Sequence, residues 1–236
     1  MPANGEKNFL HNDLLEQGLT QLNIPQVQAL ERQIGSVIDL LQKFIEEIEL
    51  FNEAYGLVKT ADRKELIIKH IFDSLAPINY IPHLNDGLHG KTQITRIADV
   101  GSGAGLPGIP LAICLPGFDF TLIERMGRRA GFLRNCIAVL GLTNVLVAEA
   151  EMEKVEPGGF DIAIFRAFRP LDREILHGLL RLLVPGGILA AWKGRYINAN
   201  EEINQLKKLI PELLCEITPV TVPFLEEERH LVLIGK

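Results

Sequence analysis

Few residues in this chain could build a disulfide framework or a zinc site. The 236 residues include three cysteines, Cys114, Cys136 and Cys215, which are widely spaced and form no Cys-x-x-Cys pair. No histidine stands near them at the spacing of a metal ligand, which disfavours both kinds of site. We therefore expect three thiols without a chemical role and no bound metal.

Long apolar runs are also missing. No window approaches about 18 consecutive apolar residues, the length that spans a bilayer. The first ten residues, MPANGEKNFL, lack the charged-then-apolar order of a signal peptide. We therefore expect a cytoplasmic protein without a membrane segment.

An overall excess of positive charge is absent as well. The net charge of −6 argues against a protein that coats nucleic acid, since neutralising phosphates needs clustered lysine and arginine. Residues 125–195 are the exception, with eleven basic and seven acidic side chains. That stretch could hold a polynucleotide locally.

The periodicity of apolar residues divides the chain into two parts. Between Val37 and Phe51 apolar residues recur every three or four positions, and a second helix is predicted over residues 63–75. These patterns predict an N-terminal helical extension over residues 1–90. From residue 91 to residue 236, short apolar runs alternate with helical stretches, which predicts a doubly wound, mostly parallel α/β sheet.

Seven strands are predicted in this second part. They cover residues 94–100, 118–123, 145–148, 160–165, 188–192, 215–222 and 230–234. Helices are predicted between them, among others over residues 171–183 and 199–210. The segment between the last two strands is too short for a crossover helix, so we expect them to form a terminal antiparallel hairpin.

The loop after the first predicted strand, Asp99–Gly108, favours a nucleotide-like ligand. Ligands of open parallel sheets bind beyond the carboxyl ends of the strands, where glycines let the backbone turn tightly. The glycines match the dinucleotide pattern Gly-x-Gly-x-x-Gly, but Pro107 and Pro110 remove two N–H donors that a pyrophosphate would use. S-adenosylmethionine has no phosphate and needs such a loop mainly as a surface for its amino-acid and sulfonium portion.

Residues at the ends of neighbouring strands extend this candidate site. Asp99 could receive the ligand's ammonium group, and Glu124 could accept both hydroxyls of an adenosine ribose. Met152 and Glu153 follow the third strand, where this architecture holds the adenine ring. NAD would use the same carboxylate of Glu124, so a dinucleotide-dependent oxidoreductase stays open. A loop-capping Asp99, a solvated Glu124 and a core Met152 are the structural alternatives.

The stretch Asp99–Pro110, DVGSGAGLPGIP, resembles the signature of the RsmG (GidB) family of ribosomal RNA guanine-N7 methyltransferases. The resemblance spans residues 40–236 and includes HIFDSL at 70–75, GRR at 127–129, RAF at 166–168, KG at 193–194 and ERHLV at 228–232. It implies a class I methyltransferase fold, S-adenosylmethionine as cofactor and 16S ribosomal RNA or the small ribosomal subunit as partner. Nothing in the sequence requires more than one copy of the chain, so we expect a monomer. A methyltransferase for another RNA or a small molecule, and an inactive RNA-binding module, are the alternatives.

The resemblance also implies roles for individual residues. It places Gly101, Leu106, Met152, Glu153 and Arg166 at the cofactor, and the loop and strand-end arguments add Asp99, Gly103, Gly105 and Glu124. Arg166 ends an apolar strand and should face a ligand or a carboxylate, because an unpaired cation is costly to bury. With Lys193, which could steady guanine O6 or a phosphate, it forms the candidate catalytic pair.

The candidate RNA contacts are basic residues on one helix, at strand ends and in the terminal hairpin. They are Arg128, Arg129, Arg134, Arg169, Arg195, Arg229 and His230. We expect His70 to be structural, in a polar network with Asp73 and Ser74, and Trp192 to pack in the core.

Overall fold

The computed structural model describes residues 4–24, 34–85, 94–166 and 171–235. Its centre is a seven-stranded sheet in the order β3-β2-β1-β4-β5-β7-β6. The strands are β1 (Arg96–Val100), β2 (Asp119–Ile123), β3 (Val145–Ala148), β4 (Phe160–Arg166), β5 (Leu183–Lys193), β6 (Leu214–Val220) and β7 (Arg229–Gly235). The first five run parallel, whereas β7 is antiparallel to both β5 and β6. The predicted doubly wound α/β fold with its terminal hairpin is confirmed.

The central strands are mostly apolar because both faces of the sheet are covered. Along β4, Ile162 and Ile164 belong to one hydrophobic cluster, and Ala163 and Phe165 to another on the opposite face. The pleat alternates consecutive side chains between the two faces. A continuous apolar run therefore supplies two cores at once.

Helices cover both faces of the sheet. On the first face lie α1 (Asn4–Gln21), α2 (Ile34–Tyr55), α5 (Gly108–Cys114) and α6 (Gly127–Leu140). On the second face lie α7 (Arg173–Leu182) and α8 (Tyr196–Leu209). The predicted helix over residues 63–75 is confirmed, with a π-helical segment Ile67–Phe72 between α3 (Arg63–Leu66) and α4 (Asp73–Leu75).

The N-terminal helices share a hydrophobic cluster with the sheet. Phe51 of α2 packs edge-on against Phe132 of α6 at a ring distance of 5.6 Å. Asn135 Nδ2 donates a hydrogen bond to Glu47 Oε2, again joining α6 to α2. The predicted domain boundary between residues 90 and 91 lies outside the described residues and stays a prediction.

The described residues also bear on the expectations about thiols, metals and membranes. All three cysteines are free, and burial raises the pKa of the Cys114 thiol to about 12, which keeps it protonated. In the part of the chain that the structure describes, no three His, Cys, Asp or Glu side chains are grouped as a metal site requires. None of its described helices combines the length and apolarity that crossing a bilayer requires.

Candidate active site

The glycine-rich loop joins β1 to α5 through left-handed backbone. Gly101, Gly103 and Gly105 have φ angles of 73°, 57° and 82°, which side chains disfavour. A Cβ atom on Gly105 would lie 2.5 Å from Ile109 Cδ1, whereas one on Gly103 would meet only Gly101 O, at 3.8 Å. Gly105 is therefore needed for packing, and Gly103 leaves one side of the loop open. Leu106 is buried in the core cluster below.

Asp99 lies beneath this loop, at the start of α5. Its side chain is 1% exposed, and Oδ2 accepts a hydrogen bond from Gly108 N at 3.0 Å. Among the described residues, nothing donates to the buried Oδ1. Burial raises the pKa of Asp99 to about 7, while the Gly108 N–H opposes that rise. Asp99 thus organises the loop, and its contact with a ligand ammonium stays a prediction.

The raised pKa of Asp99 makes the stability of the cofactor-free protein depend on pH. Between about pH 4 and pH 7 the folded protein holds a proton that the unfolded chain releases, so the free energy of unfolding falls as pH rises through this window. Asp99→Asn should remove that fall, which amounts to about 1.4 kcal/mol per pH unit. Urea denaturation at several pH values measures it.

The relevant quantity is the difference in unfolding free energy between the wild type and Asp99→Asn. We expect the free energy of unfolding of Asp99→Asn, relative to that of the wild type, to increase from pH 5 to pH 7 and to stay constant above pH 7. Asp62→Asn is the control, because Asp62 caps α3 at an exposed position. A difference that is constant across this range would refute a proton held by folded Asp99.

A first cavity, of about 480 Å³, opens at the carboxyl ends of β1 and β2. The predicted cofactor residues that line it are Gly101, Glu124, Met152 and Glu153. Glu124 is 5% exposed; its Oε2 accepts from Gly103 N at 3.0 Å and its Oε1 from Met126 N at 2.8 Å. Each oxygen of Glu124 keeps capacity for another hydrogen bond, so the carboxylate can shape the loop and still receive a ligand.

The sequence did not indicate the role of Arg181, which holds the turn that lines this cavity. Arg181 of α7 donates through Nη2 to the carbonyl oxygens of Met152, Glu153 and Val155 at 3.1, 3.0 and 2.6 Å. These bonds hold the 3₁₀ turn Met152–Lys154 against α7. No local pattern could reveal the role of Arg181, since it depends on how a later helix packs.

A second cavity, of about 900 Å³, opens at the carboxyl ends of β4 and β5. Its basic lining residues are Lys69, Arg166, Lys193 and Arg229, beside the aromatic rings of Phe165 and Trp192. The strand β1, which borders the first cavity, pairs with β4, which borders the second. The two cavities are therefore neighbours at the carboxyl ends of the parallel strands. Crevices beyond the carboxyl ends of parallel strands are where ligands bind in such folds.

Arg166 lies in this second cavity. The sequence predicted that it faces either a ligand or a carboxylate, and in the structure it faces a carboxylate. Arg166 Nη1 is 2.7 Å from Asp73 Oδ2, and Nη2 is 3.1 Å from His70 Nδ1. Burial, with Arg166 nearby, lowers the pKa of His70 to about 4, so its neutral ring accepts this bond. Contact between Arg166 and the cofactor stays a prediction.

Lys193 and Trp192, on β5, are also held by side-chain contacts. Lys193 Nζ is 2.6 Å from Glu202 Oε2 and 5.4 Å from the centre of the Phe165 ring. Trp192 is 7% exposed, and its Nε1 donates to the carbonyl oxygens of Asp73 and Ser74. The predicted core packing of Trp192 is accompanied by an anchoring role that the sequence did not indicate.

The candidate RNA-binding residues differ in what already surrounds them. Arg128 and Arg195 are exposed, whereas Arg129 is half-buried and lines the first cavity. Three others have partners: Arg134 Nη1 lies 2.8 Å from Glu149 Oε2, Arg229 Nε lies 2.6 Å from Asp73 Oδ1, and His230 Nδ1 lies 2.7 Å from Gly194 O. His230 is 8% exposed. Arg169 lies outside the described residues. RNA contact at each of these positions stays a prediction.

Comparisons with known proteins give consistent findings. The family described as rRNA small subunit methyltransferase G (GidB) matches residues 37–232. A Ribosomal RNA small subunit methyltransferase G from Treponema denticola is 37% identical over 98% of this chain and 96% of its own length. One from Aeromonas salmonicida is 38% identical over 89% of this chain and 96% of its own length.

Solved structures resemble the chain in fold. A SAM dependent methyltransferase from Aquifex aeolicus has a TM-score of 0.53 and 17% identity, over 73% of this chain and 93% of its own. A human methyltransferase 10 domain containing protein has a TM-score of 0.53 and 14% identity, over 79% of this chain and 92% of its own. At these identities the likeness extends to the fold alone.

Proposed function

Because this chain belongs to the rRNA small subunit methyltransferase G family, we propose that it methylates N7 of a guanine in 16S ribosomal RNA. The predicted family and enzyme class, a methyltransferase, are confirmed, and S-adenosylmethionine is the methyl donor. The observation that supports the reaction most directly is the pair of neighbouring cavities at the carboxyl ends of the parallel strands. The first suits the methyl donor. The second, lined by four basic and three acidic side chains beside two aromatic rings, suits the nucleotide.

The first cavity fits S-adenosylmethionine. Its volume lies within the range of about 300–1,000 Å³ that is common for small-molecule sites. Glu124 would accept hydrogen bonds from the ribose hydroxyls, and Met152 would pack against the adenine ring. Gly101 would let the backbone approach the amino-acid portion closely. The buried Oδ1 of Asp99 lacks a partner among the described residues and would accept a hydrogen bond from the ammonium group, directly or through water.

The second cavity would hold the guanine and its flanking phosphates. Lys193 and Arg166 end neighbouring strands there, and Arg229 lies beside them on β7. The target base would have to leave its stack, or be already exposed, for N7 to reach the methyl group. Arg128 and Arg195 are exposed and would contact phosphates farther along the RNA.

The reaction needs positioning more than acid–base chemistry. When bound, S-adenosylmethionine supplies an electrophilic methyl group to the in-plane lone pair of N7, which carries no proton. No side chain therefore has to act as a general base before methyl transfer. The basic residues hold the RNA so that N7 lies about 3–3.5 Å from the methyl carbon. Under this proposal the protein acts as a cytoplasmic monomer, and the substrate is free 16S RNA or the small subunit.

Methyl transfer to defined substrates tests the proposal. Labelled S-adenosylmethionine would be incubated with small-subunit ribosomal RNA, and separately with the subunit, from cells that lack this protein. We expect a single N7-methylguanine, located by mapping the modified nucleotide. No transfer to either substrate by protein that binds S-adenosylmethionine would refute the proposal and point to another acceptor or to an inactive RNA-binding module.

Binding of the RNA should weaken strongly as salt is added. Phosphate contacts release counterions, so log affinity falls by about 0.7–0.9 per contact for each tenfold rise in salt. With about three phosphate contacts, affinity should drop roughly 20-fold between 50 and 200 mM salt. Arg128→Gln with Arg195→Gln should reduce the slope by about 1.5. Fluorescence anisotropy measures both, and a slope near zero would contradict phosphate recognition.

A further inference from the structure

Asp73 joins two sequence motifs that lie far apart in the chain. Its side chain is 8% exposed; Oδ2 is 2.7 Å from Arg166 Nη1 and Oδ1 is 2.6 Å from Arg229 Nε. The two guanidinium groups come from β4 and β7. Trp192 Nε1, from β5, donates to the backbone oxygen of Asp73 at 3.1 Å. Two strands therefore hold the carboxylate of Asp73, and a third holds its backbone, in the wall of the second cavity.

The contacts of Asp73 determine the net charge of the Arg166–Arg229 pair in this wall. Arg166 and Arg229 contribute two positive charges, and Asp73 is the carboxylate that contacts both. His70 also contacts Arg166, but its ring is neutral there and adds no charge. Lys193 is paired separately with Glu202. Asp73 thus halves the positive charge of the arginine pair.

The proposed methyl transfer makes this charge balance matter. The lone pair of N7 forms the new N–C bond, the S–C bond breaks, and its electron pair stays on sulfur. The positive charge of the sulfonium thereby moves onto the guanine ring. Cations beside the guanine attract the RNA backbone but oppose the charge that arrives on the base, more strongly where water is excluded.

From this geometry we infer that Asp73 is a positioning residue that orients Arg166 and Arg229 toward the RNA and offsets part of their charge, so that methyl transfer to N7 is less opposed. This inference rests on the proposed function. The inference gives the arginines and the carboxylate different roles in the reaction. The arginines favour binding of the RNA, and the carboxylate favours the chemical step.

Asp73→Asn tests the inference, because the amide keeps the shape of the side chain and removes its charge. We expect kcat to fall about 10- to 100-fold, whereas the KM for RNA at low salt stays the same or falls up to fivefold. A residue with a merely structural role would not tighten RNA binding while it slows turnover. Single-turnover rates at saturating RNA and cofactor report on folded, bound protein only, and they should show the same loss.

Three further variants complete the experiment. Asp73→Glu, which keeps the charge, should recover part of the lost kcat. Asp73→Asn combined with Arg229→Gln should be no slower than Asp73→Asn alone, because residues that act through one another are not additive. Asp62→Asn, at an exposed helix cap, should behave as wild type.

A kcat of Asp73→Asn within twofold of the wild type would overturn the inference. A loss of kcat that is matched by a rise in KM for RNA and by weaker cofactor binding would overturn it too, since that pattern indicates a structural role. Failure of the proposed function looks different, because the wild-type protein itself would then transfer no methyl group to ribosomal RNA.

Discussion

Replacing Arg166 by alanine is expected to lower kcat about 100-fold while the protein stays folded. The guanidinium group stands at the end of β4, in the cavity proposed for the guanine, and its loss would let the nucleotide shift. A misplacement of about 1 Å can cost 10²-fold in rate. The fold should survive because Asp73 keeps its contact with Arg229 at 2.6 Å. Steady-state methylation of ribosomal RNA and thermal denaturation measure the two effects.

Arg63→Ala is a matched control for this variant. Its side chain is 18% exposed, against 15% for Arg166, and it lies 2.6 Å from Glu49 Oε2. It therefore also loses a half-buried ion pair, but on α3 and away from both cavities. Wild-type turnover by folded Arg166→Ala would remove Arg166 from the site, and an equal loss in Arg63→Ala would attribute the effect to stability.

Gly105→Ala should destabilise the glycine-rich loop through both backbone strain and crowding. At φ +82° a side chain costs about 1–2 kcal/mol, and the new Cβ would lie 2.5 Å from Ile109 Cδ1 and 3.1 Å from Leu133 Cδ2. Together these effects should lower the free energy of unfolding by about 2–4 kcal/mol. The affinity for S-adenosylmethionine should also fall about tenfold or more, because the loop must shift to relieve the contacts. Denaturant titration and calorimetry provide the measurements.

Gly141→Ala separates the backbone strain from the crowding. Gly141 has φ +65° at the end of α6, and no atom lies within 4 Å of the Cβ position. This control should lose about 1 kcal/mol of stability and bind the cofactor normally. Equal stability losses in the two variants, with cofactor affinity retained in Gly105→Ala, would show that the loop tolerates a side chain at that position.

Local patterns were sufficient to predict the sheet and the place of Glu124 beside the glycine-rich loop. The glycine loop directly follows an apolar strand, so the position of Glu124 at the next strand end could be inferred from spacing. The strand β5 shows where local patterns fail. It was predicted from Ile188 but begins at Leu183, through a Pro-Gly-Gly sequence that is typical of turns. The irregular register between β4 and β5 accommodates that sequence.

The second cavity depends on contacts between distant parts of the chain. Asp73 and Arg229 are 156 positions apart and form a direct ion pair. The sequence predicted a network of His70, Asp73 and Ser74, but it could not reveal that Arg166 and Arg229 complete it. Periodicity describes one element at a time, whereas these contacts require the relative placement of four elements.

The strand order has a consequence for how the protein is made. In the described sheet, β6 pairs only with β7, although β6 precedes β7 in the sequence. During synthesis β6 must therefore wait, with its backbone unpaired, until β7 has left the ribosome and inserted beside β5. Arg229 arrives with β7 as well. A nascent chain could thus form the first cavity well before the second cavity is complete.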